Sequence, residues 1–96
     1  MKPSLAIAHF RHDVHAAVAR YHTTNPRIFG SVLTGTDNEN SDLDLLVDAL
    51  PGTTLFDLGG LQSELEALLG IPVDLLTPAD LPAKFRNQVL AQTQPV

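Results

Sequence analysis

Hydrophobic residues in the first part of the chain recur at intervals suited to one helical face: Leu5, Ala8, Val14, Val18 and Tyr21 predict a helix over about residues 5–21. Ser4 stands where it can cap that helix. The polar run 22–26 ends it at Pro26, because the residue before a proline is pushed out of the helical region. Arg27, Ile28 and Phe29 then read as a short strand stopping at Gly30, followed by a tight turn or short helix over 31–35 and a polar loop over 36–41. Next comes an alternating segment, 42–48, with Leu43, Leu45 and Val47 on one side and Asp42, Asp44 and Leu46 on the other. Pro51 and Gly52 turn the chain into a second helix over 54–69, with an apolar stripe of Leu55, Leu58, Leu61, Leu65, Leu68 and Leu69 and a stop at Gly70. Residues 71–76 predict a third strand and 78–81 a connecting turn. A last helix is predicted over 82–92, with Pro82 at its start and Phe85, Val89 and Leu90 inside. The order helix, strand, strand, helix, strand, helix predicts a small α/β (α+β) domain, a mixed sheet with helices packed on one face.

Composition narrows what such a domain does. Ninety-six residues support one modest core, so a single domain over 1–96 is expected, without a separate substrate-binding domain. Six Lys and Arg against eleven Asp and Glu give a formal net charge of -5, which opposes direct coating of DNA or RNA. No cysteine is present, so disulfides, thiolate metal sites and cysteine nucleophiles are excluded, in keeping with a cytoplasmic setting. No apolar run approaches a membrane span, and no leader-like apolar segment opens the chain, so no membrane or signal-peptide role is expected.

The chemistry concentrates in three carboxylates. Asp42 and Asp44 are two apart, so on a strand both point to one face. Like charges placed together are costly unless a cation neutralises them, and Mg²⁺ prefers such oxygen ligands. Asp74 interrupts the apolar segment 71–76, and converges on the same place if the two strands pair. Three such acids suit metal-assisted phosphoryl transfer, with Asp42 and Asp44 on the metal that holds the nucleotide phosphates and Asp74 joining Asp44 at a second. Gly30 and Ser31, at a strand end before a turn, suit a phosphate cradle, since glycine permits close approach and serine donates a hydrogen bond. Asp48 reads as a solvated strand cap. Tyr21 reads as packing at a helix end. His9, His12, His15 and His22 read as surface or interface residues rather than a zinc site.

The segment from Gly30 to Asp44 has Gly-Ser, ten intervening residues and then Asp-x-Asp. It resembles the signature of the DNA polymerase beta-like nucleotidyltransferase superfamily. Phe29 before it, Ser41 through Val47, and Val73-Asp74-Leu75-Leu76-Thr77 after it resemble the minimal nucleotidyltransferase (MNT) proteins, usually encoded beside a HEPN-domain protein. The resemblance implies a polymerase beta-like core, with Gly30 and Ser31 on the nucleotide phosphates and Asp42, Asp44 and Asp74 as catalytic and metal-binding acids. It implies a Mg²⁺-dependent transfer of AMP from ATP to a tyrosine hydroxyl of a HEPN toxin, silencing that toxin as an antitoxin does. Two other readings compete: a non-catalytic antitoxin acting by stoichiometric binding, and nucleotidyl transfer to a small molecule or RNA end. Apolar strand edges or the outer face of the first helix would support a homo-oligomer or a hetero-complex.

One departure from the family pattern stands out. Many relatives carry arginines inside the Gly-Ser-x-x-x-Gly turn, where this chain has Val32 and Thr34. Neither replaces a bidentate arginine on phosphate, so weaker triphosphate binding is implied unless another base serves. Arg27, Lys84 and Arg86 are the available bases, each otherwise read as a solvated surface charge.

Overall fold

Alternation along β2 (Leu43–Ala49) sends Leu43, Leu45 and Val47 to one side, where all three are fully buried, and Asp44 to the other. The computed structural model describes residues 1–96 and builds its sheet around this strand. β2 pairs antiparallel with β1 (Thr23–Phe29) and parallel with β3 (Val73–Leu76), and a short β4 (Gln94–Pro95) adds antiparallel to β1. The sheet order is therefore β3-β2-β1-β4, a mixed sheet as expected.

On the face carrying Leu43, Leu45 and Val47 lie α1 (Pro3–His9), α2 (Arg11–Arg20) and α4 (Leu55–Leu69). Their Ala6, Ile7, Val14, Ala17, Val18, Leu61, Leu65 and Leu69 form one core with the strand residues. Fully burying an aliphatic side chain is worth about 1.5–3 kcal/mol, so this face holds the domain together. α4 has nearly the predicted extent, but Leu55, counted in its apolar stripe, is 85% exposed. Thr54 and Asp57 close a capping box at its start, and Gly70 ends it in the left-handed conformation.

The opposite face is partly covered as well. A 3₁₀ turn (Pro78–Asp80) packs against β2, and Leu81 is buried, as is Leu46 on the carboxylate side of β2. Arg86 holds this segment by donating from Nε to Pro78 O at 2.8 Å and from Nη2 to Leu81 O at 3.0 Å. The last helix, α5 (Arg86–Ala91), starts later than predicted because residues 83–85 form a turn after Pro82.

Three other boundaries depart from the expectation. The first helix is broken at Phe10, whose dihedrals of φ -103° and ψ 20° leave the helical region, so that α1 can touch both α2 and α4. β1 starts at Thr23 and runs through Pro26. A register shift between Thr24 and Arg27 accommodates the missing N–H, as prolines in strands require. β4 lay beyond the predicted last helix. Its pairing is backed by the Val96 N–H donating to Pro26 O at 3.0 Å.

Ser4 does not cap the first helix. It lies inside α1, and its N–H donates to Asp37 Oδ2 at 2.8 Å, so the cap arrives from the loop between the short helix α3 (Ser31–Thr34) and β2. Asp37, in a segment predicted only as a polar loop, is buried. Its carboxyl is held below the ordinary 3.8, foremost by the Ser4 N–H and against the opposing effect of burial, with the Ser4 hydroxyl and Lys2 helping. A lowered carboxylate contributes stability above its unfolded-state value and loses it as pH falls through the folded value. Asp37→Ala should therefore lower the melting midpoint at pH 7, with the gap to wild type closing as the pH is taken below about 3.8. A pH-independent gap in thermal melts would show that the charge is not the source.

Two adjacent glycines in α4 give a sharper test of packing. At Gly60 an added Cβ would lie 2.7 Å from Tyr21 Cε1, whereas at Gly59 it would meet open space. Gly59→Ala should stabilise by about 0.5–1 kcal/mol through helix propensity alone. Gly60→Ala should come out about 1–3 kcal/mol worse than Gly59→Ala, because the Tyr21 ring must move. Urea denaturation measures both. Equal effects would mean that the ring does not rest on α4.

Candidate active site

The strand register assembles the site. Asp44 pairs with Phe29 across β1 and β2, and with Asp74 across β2 and β3. Paired residues share a face, so Phe29, Asp44 and Asp74 line up across the sheet on the side away from the helical core. Asp42, just before β2, falls on that side by alternation. The structure thus brings the two acidic segments together, which sequence spacing left conditional on their pairing. Asp42 and Asp74 are exposed and Asp44 is half-buried between them.

Burial pushes the Asp44 carboxyl above its ordinary value, and the negative charges of Asp74 and then Asp42 push it the same way. An ionised Asp44 is therefore costly as it stands, and a cation on this face relieves that cost. No three His, Cys, Asp or Glu side chains are gathered closely enough to form a ready metal cage. The donor set still suits Mg²⁺, which keeps several waters and binds through one or two carboxylates plus substrate phosphates.

α4 fixes the third acid. Val73 is held by two α4 side chains, its N–H donating to Glu66 Oε2 at 2.9 Å and its C=O accepting from Gln62 Nε2 at 3.0 Å. Leu43 N–H reaches back to Pro72 O at 3.0 Å. The backbone is thus pinned on both sides immediately before Asp74, although β3 is an edge strand.

Gly30 ends β1 at φ 72° and ψ -144°, a region that is essentially glycine-only. Its Cα lies against the Asp44 carboxylate, so a Cβ there would collide with Asp44 Oδ2. Ser31 opens α3 directly after it. The turn is closed by Thr36 N–H donating to Ser31 O at 2.9 Å and by the Thr34 hydroxyl shared with Thr36 Oγ1 at 2.9 Å. Gly35, at φ 74°, ends α3. Gly30 and Ser31 therefore sit beside Asp44, while Val32 is buried in the core.

The three bases offered as substitutes for the missing arginines are engaged elsewhere. Arg27, expected to be solvated, is 8% exposed, donates from Nη1 to Asn25 O at 2.7 Å and pairs with Asp48 at 3.2 Å. Asp48 is correspondingly not a free strand cap, since it also accepts from Asn25 Nδ2 at 3.1 Å. Arg86, likewise expected to be solvated, is bound to the carbonyls of the 3₁₀ segment. Lys84 is exposed and lies over the Phe85 ring, 5.6 Å from its centroid. The four histidines are exposed, with His15 Nε2 2.9 Å from Val96 O, as a surface reading requires. Tyr21 packs at the end of α2 against the core.

Sequence reading missed one feature of the site. A cleft of about 260 Å³ lined by Phe29, Gly30, Leu33, Thr34, Val89 and Gln92 opens beside Gly30, between α3 and α5. Only the tertiary placement of α5 creates it.

The Gly30 contact generates a direct test. Gly30→Ala should lose about 1–3 kcal/mol from backbone strain alone, with displacement of Asp44 in addition. If a denaturation midpoint and an Asp44 side-chain NMR resonance are both unchanged, the Gly30–Asp44 contact is not as close as described.

Comparison with known proteins identifies the fold and family. Residues 18–96 match the nucleotidyltransferase domain family. Protein adenylyltransferase MntA of Thermococcus cleftensis is 38% identical over 65 residues, covering 68% of this chain and 66% of that protein. A solved minimal nucleotidyltransferase structure superposes with a TM-score of 0.87 at 39% identity, covering 97% of this chain and 95% of that one. A toxin–antitoxin crystal structure with AMP-PNP shares the fold at a TM-score of 0.73 and 23% identity, over 88% of this chain and 69% of that one. No helix here is long and apolar enough to cross a membrane. A Gly-Ser turn abutting paired strands that carry three acids, on a fold matched over nearly its whole length, places this chain in the nucleotidyltransferase domain family as a minimal nucleotidyltransferase.

Proposed function

We propose that this chain is a Mg²⁺-dependent protein adenylyltransferase that transfers AMP from ATP to a tyrosine hydroxyl of a cognate HEPN toxin, and so acts as its antitoxin. The observation that carries the reading is the alignment of Asp44 with Asp74, beside Asp42 and against Gly30. In this reading Asp42, Asp44 and Asp74 would hold magnesium, and Gly30 and Ser31 would seat the phosphates. Bound magnesium would neutralise the phosphate charge and acidify the attacking hydroxyl. The raised Asp44 supports this arrangement, because its ionised form gains most from a cation nearby.

The acceptor oxygen attacks the α-phosphorus in line. One P–O bond forms to the acceptor, the bond to pyrophosphate breaks, and the acceptor proton passes to the exposed Asp74 carboxylate. Glycine at position 30 admits the phosphate chain next to Asp44, where any side chain would intrude. MntA of Thermococcus cleftensis is a protein adenylyltransferase, and a toxin–antitoxin structure of the same fold contains AMP-PNP, which supports both the reaction and the partner. Leu50, Leu55 and Phe56, at 45%, 85% and 92% exposed, offer apolar contact surface for such a partner.

The test is transfer of label from α-labelled ATP, with Mg²⁺, to the co-encoded HEPN protein. Asp42→Asn with Asp44→Asn should reduce labelling by about 100-fold or more, and chelation of Mg²⁺ should do the same. Undiminished labelling by the double variant would defeat the mechanism. A second reading, inhibition by binding alone, draws on one observation: Val32 is committed to the core and Thr34 to backbone hydrogen bonds, so the turn carries no arginine for phosphate. Full neutralisation of the toxin by the double variant would favour that reading.

A further inference from the structure

Asp42 stands just before the first residue of β2, outside the paired strands, so no ladder partner fixes it. On its C-terminal side Leu43 is fully buried and donates its N–H to Pro72 O at 3.0 Å. On its N-terminal side the chain over 36–41 runs along the surface, and Asp37 is the one buried residue in it. That residue is bound to α1: Asp37 Oδ2 accepts from the Ser4 N–H at 2.8 Å, and the Ser4 hydroxyl adds a second bond to the carboxylate. α1 is itself a firm base, with Pro3 and Ala6 fully buried and Ile7 packed in the core.

From Asp37 the restraint passes along a closed turn. The Ser41 N–H donates to Asn38 O at 3.0 Å, the Asn38 N–H to Ser41 Oγ at 2.9 Å and the Asn40 N–H to Asn38 Oδ1 at 2.8 Å. These bonds leave the segment 38–41 little freedom, and Asp42 follows it directly. The geometry points to Asp37 as a positioning residue that, through the turn from Asn38 to Ser41, holds the Asp42 carboxylate where a divalent cation needs it. Magnesium demands near-ideal octahedral placement of its oxygens, so a ligand on an untethered loop would have to be ordered at the expense of binding. Metal affinity thus depends on α1, a helix packed on the core face and remote in sequence from all three acids. The inference rests on the metal reading of those acids and adds what keeps one of them in place.

Mn²⁺ takes the same oxygen ligands as Mg²⁺ and broadens the NMR resonances of nearby amides, so titrating the full chain with Mn²⁺ at fixed ATP measures affinity at the acids. Each variant is compared with wild type at a temperature where its thermal melt shows it folded. Asp37→Ala should weaken Mn²⁺ binding about tenfold or more, the range for loss of a group that orients a metal ligand. Asp37→Asn keeps an oxygen acceptor for the Ser4 N–H and should retain most of the wild-type affinity. Ser41→Ala opens the turn but leaves the bond to α1 in place, so it should weaken Mn²⁺ binding several-fold with little change in melting midpoint. It carries the test if Asp37→Ala fails to fold. Wild-type affinity in Asp37→Ala or in Ser41→Ala would overturn the inference and leave the metal site intact. A loss in Asp37→Asn equal to that in Asp37→Ala would also overturn it, by placing the effect in the charge. No Mn²⁺ binding by wild type would overturn the metal reading itself, and this inference with it.

Discussion

The close approach of Gly30 to the Asp44 carboxylate organises this domain. It exists because β1 and β2 pair with Phe29 opposite Asp44, so the strand end that turns into α3 lies directly beside the acid. A residue with a Cβ would be excluded there twice, by the positive φ and by the carboxylate itself. The same register puts Asp74 alongside on the next strand. Shifting either strand by one residue would move the acids to the core face, where Leu43, Leu45 and Val47 are fully buried and a charge could not be tolerated.

The two faces of the sheet therefore carry different burdens. One is closed by three helices and supplies the hydrophobic stabilisation. The other keeps three carboxylates near one another, which favours neither folding nor ionisation of Asp44. The first face meets that cost and also steadies the second: α4 packs Leu61, Leu65 and Leu69 into the core and, from the same helix, Gln62 and Glu66 grip Val73 next to Asp74. The loop between the turn and the acids is tied down by Asp37, whose carboxylate caps α1. Parts of the chain far from the acids thus hold their positions.

Much of this was legible in the sequence because it rests on short-range periodicity. Alternation in 42–48 separated core from acidic residues correctly, and the leucine stripe with Gly70 gave α4 its limits. The features that escaped depend on partners distant in the chain. Asp37 looked like loop because its partner, Ser4, is 33 residues away. Thr23 to Pro26 looked like a helix terminator, since proline punctuates local structure, yet a bulge lets it enter a strand. Arg27 carried no mark of burial until β1–β2 pairing brought it to Asp48. The break at Phe10 has neither proline nor glycine to announce it. The cleft beside Gly30 needed α5 to fold back over the sheet, and no local pattern encodes that return.

The turn at Val32 and Thr34 shows how the fold constrains its own electrostatics. Val32 belongs to the buried core, and an arginine there would have to leave it or be buried unpaired. Thr34 spends its hydroxyl on the carbonyls of Gly30 and Ser31, at 3.4 and 3.3 Å, and on Thr36, which stiffens the cradle without adding charge. Arg27 is neutralised by Asp48, and Arg86 is bound to backbone carbonyls. With a net charge of -5 and three acids on the open face, the polypeptide has no cation at the turn to meet a triphosphate. Under the proposed reaction, attraction for an anionic substrate would come through a cation held by the acids, which would couple metal and nucleotide binding more tightly than in a turn carrying arginine.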